Sequence, residues 1–305
     1  MGDSWLRNLR DAGDILRRAR SPKELAKAFM PKAWLTRRVL NDGSPDSDET
    51  RDASRAAQAL RELGNALEVE AISDEGRVDY AKLRDSPTYE ELERASRALH
   101  LVDPVELEGD DERIAFWTNL YNVLAIHGVI ALDVRESVME LPSFFGVVAY
   151  RVGNYVVTLD EIENGILRRN AAHPVTKVPL FDDDDPRLAL CPSHVDARIH
   201  AALVCASTSC PPVAFYDADR LDDQLDAAAD NYVGAEVEVD HDARVIRLPI
   251  TFRYYEMDFG RRAGVELFLL NHTPSHDRPT LERAIAAKYD FAYHRYDWSL
   301  NSGTG

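Results

Sequence analysis

Lysine is almost missing from this sequence: six residues, at positions 23, 27, 32, 82, 177 and 288, stand beside thirty arginines. Set against 53 acidic residues, this leaves a formal charge of −17. A surface rich in Asp and Glu and poor in Lys stays hydrated at high salt and repels phosphates over most of the molecule. A salt-rich, halophilic cytoplasm is the expected setting, and nucleic acid is excluded as a partner. Cysteine is scarce too. Cys191, Cys205 and Cys210 are an odd set, and Arg7, Arg10, Asp11 and Asp14 stand where a secretory signal would carry its apolar core. A disulfide framework is therefore a poor explanation for the thiols, and chemistry or packing must account for them. Long apolar runs are absent as well. None approaches the roughly 18 uncharged residues that span a bilayer, because Asn, His, Asp or Arg interrupts each one.

What is present suffices for a sizeable core, since 45% of the residues are hydrophobic. Charge is unevenly placed: residues 1–40 hold ten basic and four acidic residues, a surplus of +6 that leaves −23 for the rest. There Trp5, Leu6, Leu9, Leu16, Leu25, Ala28, Phe29 and Trp34 recur at helical spacing. This reads as a basic amphipathic helical appendage that docks on the acidic body or makes weak contact with an anionic membrane surface or an acidic protein. Residues 41–51, NDGSPDSDETR, read as an acidic linker, and residues 52–301 as one α+β domain.

Within that domain the apolar spacing predicts helices over 54–67 and 87–101. In RIAFWTNLYNVLAIHGVIAL, residues 113–132, apolar side chains cover the whole circumference, as in a buried central helix, so Asn119, Asn122 and His127 need partners in the core. Residues 147–152 and 155–159 are β-rich and flank Gly153-Asn154, a hairpin signal. Thr158 and Glu161 have capping-box spacing, and Leu159, Ile162, Ile166 and Leu167 form the inward face of the helix that follows, with Glu163 inside that face. Residues 199–204, IHAALV, read as a central strand ending at Cys205; small residues follow, and Asp219 caps a helix over 221–232. Residues 245–248 and 291–296 complete the strands. The expected architecture is α+β: a mixed, largely antiparallel central sheet with a buried central helix and surrounding helices.

Cys205 sits where an apolar strand meets a loop of small side chains, a nucleophile's setting. The leading reading is a thiol-dependent hydrolase or acyl transferase without a cofactor. Cys205 attacks a carbonyl, His127 shuttles the proton, Glu163 or Asn119 orients the ring, and backbone N–H groups of residues 206–210 with Asn122 form the oxyanion hole. Its substrate would be a small molecule, a peptide or an acyl compound. A second reading makes the chain a non-catalytic binding module: Cys205 is a core residue, His127 serves a backbone carbonyl and Glu163 pairs with a buried Arg. A third places zinc on Cys205, Cys210, His200 and His127, although the C-x₄-C spacing is loose.

Four motifs in order resemble the domain-of-unknown-function 547 family: AFWTNLYN at 115–122 with Ile126-His127, LDEIENGILR at 159–168, RIHAALVCASTSCPP at 198–212 and YDWSLN at 296–301. The resemblance runs from about Val78 to Asn301. It implies weight on Asn119, Asn122, His127, Glu163 and Cys205. Plant-type members carry Ser at the position of Cys210 and a residue other than His at that of His200, which favours Cys205 over a metal site; Asn164 replaces the His of a common form. His before Cys is the reverse of the papain and transglutaminase order, so a distant likeness to those enzymes implies permutation.

Overall fold

The computed structural model describes residues 36–46, 52–141 and 143–303. The spacing of Trp5 to Trp34 lies outside the described residues. Strand β1 (Arg38–Val39) runs parallel to a later strand, and the Asn41 side chain donates to Ser96 O and Arg151 O while its own oxygen accepts from Arg151 N–H. The chain thus joins the body before Asn41, ahead of the linker boundary expected from composition. The reason is that a buried asparagine satisfies a strand edge as well as a core position does.

Helix α1 (Ala53–Ala71) begins at Asp52, whose carboxylate accepts from Arg55 N–H, and buries Ala53, Ala56, Leu60, Leu63, Leu67 and Ala71 as one stripe. Such a cap contributes about 1 kcal/mol, and each buried Leu about 1.5–3 kcal/mol. Helices α2 (Tyr80–Arg84) and α3 (Pro87–Ala98) pack beside it. Together they enclose α4 (Gly109–Ala131), in which every residue from Ile114 to Ile130 is buried. By length and composition α4 alone among the described helices could cross a membrane, a possibility the sequence reading set aside; 94% of its most apolar window lies inside the protein.

Helix α5 (Phe144–Val147) leads into β2 (Val148–Val152) and β3 (Tyr155–Thr158), the expected hairpin, with Gly153 at φ +52° in the turn. The reciprocal bonds of the capping box are present between Thr158 and Glu161. The helix they start is wound as π over Glu161–Leu167: Arg168 N–H reaches Glu163 O, and Asn170 N–H reaches Gly165 O. Such wide turns occur often at functional sites. Gly165 lets this helix approach Phe181, since a β-carbon there would lie 2.3 Å from the ring. Gly165→Ala is expected to cost about 1–3 kcal/mol through overpacking. Urea unfolding measures it, and an unchanged midpoint would show that Phe181 yields freely.

Helix α6 (Leu221–Glu236) follows a 3₁₀ turn, Ala218–Arg220, so Asp219 lies inside that turn and does not cap α6. Next come β4 (Glu238–Asp240), β5 (Val245–Leu248), α7 (Thr251–Tyr254), α8 (Arg261–His272), α9 (Arg278–Ala286) and β6 (Asp290–Tyr293). The α+β class holds, but the described strands form two three-stranded sheets, β1-β2-β3 and β4-β5-β6, and not one central sheet. Each joins one parallel to one antiparallel pair. The larger core surrounds α4; the smaller packs Tyr232, Ile246, Leu248, Phe252 and Leu269 between the second sheet and its helices.

Candidate functional site

Two asparagines one turn apart on α4 place the cysteine segment. Asn119 donates to Tyr216 O and accepts from Tyr216 N–H, both at 2.8 Å. Asn122 donates to Ala202 O and Ala214 O and accepts from Val204 N–H at 2.9 Å. These amides pair with backbone as a neighbouring strand would. That explains why residues 199–204 do not form the expected strand: Ala197–Ala201 is a 3₁₀ turn, and the extended residues after it are satisfied by side-chain amides. Both Asn122 amide hydrogens are occupied, so it is not an oxyanion donor.

Beyond Val204 the chain turns at Ala206, φ +64°, and the loop is laced to the closing motif. Asn301 N–H donates to Ala206 O, Thr208 N–H to Ser299 O, and Ser209 N–H to Asp297 O. This brings Tyr296 to the thiols. Its hydroxyl lies 3.0 Å from Cys205 Sγ and 3.3 Å from Cys210 Sγ, and it accepts from Ser207 Oγ at 2.9 Å. The two sulfurs are 2.6 Å apart, and both cysteines are free and half-buried. Burial opposes ionisation of Cys210, but hydrogen bonds from the Cys205 thiol, Ser207 and Tyr296 outweigh it and bring its pKa below the ordinary thiol value. The hydrogen bond with Cys210, then burial, pushes Cys205 well up. The pair therefore releases one proton easily and holds the second, sharing one thiolate. The oxyanion hole expected in this loop is largely spent, because Thr208, Ser209 and Cys210 N–H groups already donate to Ser299, Asp297 and Ser207 carbonyls.

Cys205 lines a cavity of about 330 Å³, large enough for a small ligand. Glu163 lines it too, and its carboxylate accepts from Tyr255 Oη at 2.5 Å and Tyr121 Oη at 3.4 Å. Beside Glu163 lies His200, stacked on Tyr255 with ring centres 4.0 Å apart. Its Nε2 is 2.9 Å from Asp258 Oδ2, and Arg168 grips the same carboxylate through Nε and Nη2. Asn164, which also lines the cavity, accepts from Arg168 at 2.7 Å. Burial opposes the charge of Asp258, but hydrogen bonds from His200 and Arg168 outweigh it and hold its carboxyl below the usual range.

The structure thus brings Cys205 and Glu163 to one cavity and leaves His127 out of it. Six residues past Tyr121 on α4, His127 points elsewhere: Nδ1 meets Tyr150 Oη at 2.7 Å and the ring packs edge-on to Tyr89. Burial lowers its pKa to about 4, so it is neutral near pH 7 and supplies no positive neighbour to a thiolate. The expected proton shuttle from His127 is corrected on both counts. The same geometry takes His127 out of the zinc set, and among the described residues no three His, Cys, Asp or Glu side chains are grouped so as to hold a metal ion. Sequence reasoning weighed His200 only as a zinc ligand, met Tyr296 only within the closing motif, and gave Asp258 no role. His200 sits in an apolar run within the cysteine motif, a signal that was available. Asp258 carries none, being one acid among 53.

No curated protein and no solved structure matches the chain. Residues 104–233 match the model of one family, and that stretch holds α4, the Glu163 helix, the cysteine loop and most of α6. Over that stretch, less than half of its length, the chain is similar to the family described as "Protein of unknown function, DUF547", in line with the resemblance of its motifs.

Proposed function

We propose that the chain is a thiol-dependent hydrolase or acyl transferase in which Cys205 is the nucleophile and His200, not His127, moves protons. The observation that carries this reading is that Cys205 and His200 face one cavity while Asp258 holds the far nitrogen of His200. No hydrogen bond joins His200 to Cys205, and the mechanism does not require one. The proton of Cys205 passes to the Cys210 sulfur, and the Cys205 thiolate attacks the acyl carbon. The tetrahedral intermediate collapses to a thioester as His200 hands a proton to the leaving group. His200 then takes a proton from water or an acceptor alcohol or amine, whose attack breaks the thioester and returns the Cys205 thiolate. Asp258 and Arg168 act as positioning residues. The resemblance implies that plant-type members carry neither Cys210 nor His200 at these positions, so the proposal is for this chain alone.

A p-nitrophenyl acetate burst tests it. Acetyl should appear on Cys205 by peptide mapping, and Cys205→Ala should abolish the burst. His200→Gln should slow turnover about 10²-fold or more, while His127→Gln stays within about twofold. A folded wild-type chain that leaves Cys205 unacylated overturns the reading and favours a non-catalytic module using the same cavity. Equal turnover in His200→Gln and wild type overturns the role of His200.

A further inference from the structure

The permanent charges that line the cavity are of one sign, beside two histidines, His173 and His200. Asp160 and Glu163 line it, and no Lys or Arg does. Glu163 is the more informative of the two. Among the described residues no Lys, Arg or His forms an ion pair with it, and its only hydrogen-bond partners are the phenols of Tyr121 and Tyr255. The nearest basic side chain on its own helix, Arg168, is turned away to Asp258 and Asn164. Arg168 reaches Glu163 only through space, without a direct ion pair, so this partly buried carboxylate keeps room for a cationic partner from outside the protein. Asp160, at the rim, repeats the sign; its neighbour His173 lies 3.6 Å away.

The walls fit the same charge. Tyr232, Tyr296, Trp298 and Phe145 line the cavity with the acids, and Tyr296 and Trp298 pack at 4.4 Å between ring centres; the Tyr255 ring is already taken by His200 and Arg168 and serves through its hydroxyl. Ring faces attract cations, most strongly when water is excluded. Both oxygens of Glu163 already accept a phenol, which leaves single acceptor positions in place of the open edge that a bidentate guanidinium uses; a compact ammonium suits it better.

We propose that this cavity binds a ligand carrying an ammonium group, with Glu163 as the counter-ion and the aromatic walls as its cage, and that carboxylate- or phosphate-bearing compounds are excluded. This deepens the acyl-transfer reading and rests on it in one respect: the ammonium would belong to the acyl compound or to its acceptor, held in the cavity that Cys205 lines.

Two methanethiosulfonates that differ in charge provide the test. Each reacts with a thiolate to give the mixed disulfide and methanesulfinate, one bearing trimethylammonium and the other sulfonate. The ratio of their rates at Cys205, divided by the ratio on the urea-unfolded chain, is expected to favour the cation by about tenfold or more. It should fall to about twofold or less in Glu163→Gln and shrink in wild type as salt is raised. Equal normalised rates at a reactive Cys205 overturn the ammonium site and leave the thiol reading standing. If Cys205 resists both reagents, the thiol reading fails, and calorimetry on Cys205→Ser decides the ammonium site alone: choline should bind at least about tenfold tighter than its neutral isostere 3,3-dimethylbutan-1-ol. Equal affinities there overturn it, and so does a Glu163→Gln protein that is folded and keeps the full preference.

Discussion

Arg168→Met is expected to destabilise the protein by about 3–5 kcal/mol, the loss typical of removing one partner from a buried ion pair. Arg168, Asp258 and His200 have side chains only 3%, 3% and 2% exposed, so no water can take the guanidinium's place. The substitution removes two bonds to Asp258, one to Asn164 and one to Ala172 O. It leaves a carboxylate facing His200 alone in low dielectric. The pH dependence follows from the direction of the Asp258 shift. A carboxyl held low in the folded state contributes stability that is complete above its unfolded value of roughly 4 and is lost as pH falls through the folded value. Without Arg168 the folded value rises, so acid unfolding should begin at higher pH than in wild type. Urea titration at pH 7 and an acid titration followed by circular dichroism read both effects. A cost below about 1 kcal/mol would mean that the three groups are not mutually dependent.

Removing Cys210 should alter the chemistry as strongly as removing Arg168 alters stability. With the pair intact, alkylation summed over Cys205 and Cys210 should rise below the pH of an ordinary thiol, because the pair shares one thiolate and gives up its first proton readily. In Cys210→Ala the sulfur partner is gone and burial acts on Cys205 with only Ser207 and Tyr296 opposing it. The inflection should move up by at least about one unit, cutting reactivity at pH 6 by about tenfold. Cys191 is buried and its thiol is pushed up by burial, so iodoacetamide mapping at pH 6 should find it unmodified. An unshifted profile would show that Cys205 ionises without help from its neighbour.

Much of the fold was legible because it follows from local pattern. The circumferential apolarity of residues 113–132 identified α4, alternation around Gly153-Asn154 identified the hairpin, and Thr158 with Glu161 identified a helix start. The reading failed where a side chain did the work of a strand. Residues 199–204 have a strand's composition, yet their neighbour is Asn122, and no periodicity in one segment reveals the amide that will face it from another. The π winding of residues 161–167 was equally hidden, since it depends on i→i−5 bonds that the apolar spacing does not distinguish from an ordinary turn.

The site divides in the same way. Residue chemistry and position on an element marked Cys205, Glu163, Asn119, Asn122 and His127 as polar groups among apolar neighbours, and all five have specific partners. Which of them share a cavity was decided by tertiary packing. Asn119 and Asn122 hold loops, His127 holds Tyr150, and only Cys205 and Glu163 meet at an open space. Their companions Tyr296, His200 and Asp258 arrive from segments up to 91 residues from Cys205. A sequence states how unsuited a polar group is to its immediate neighbours, because burial cost is set by local apolarity. The partner that relieves that cost is chosen by the crossing of distant elements, and only the folded chain contains it.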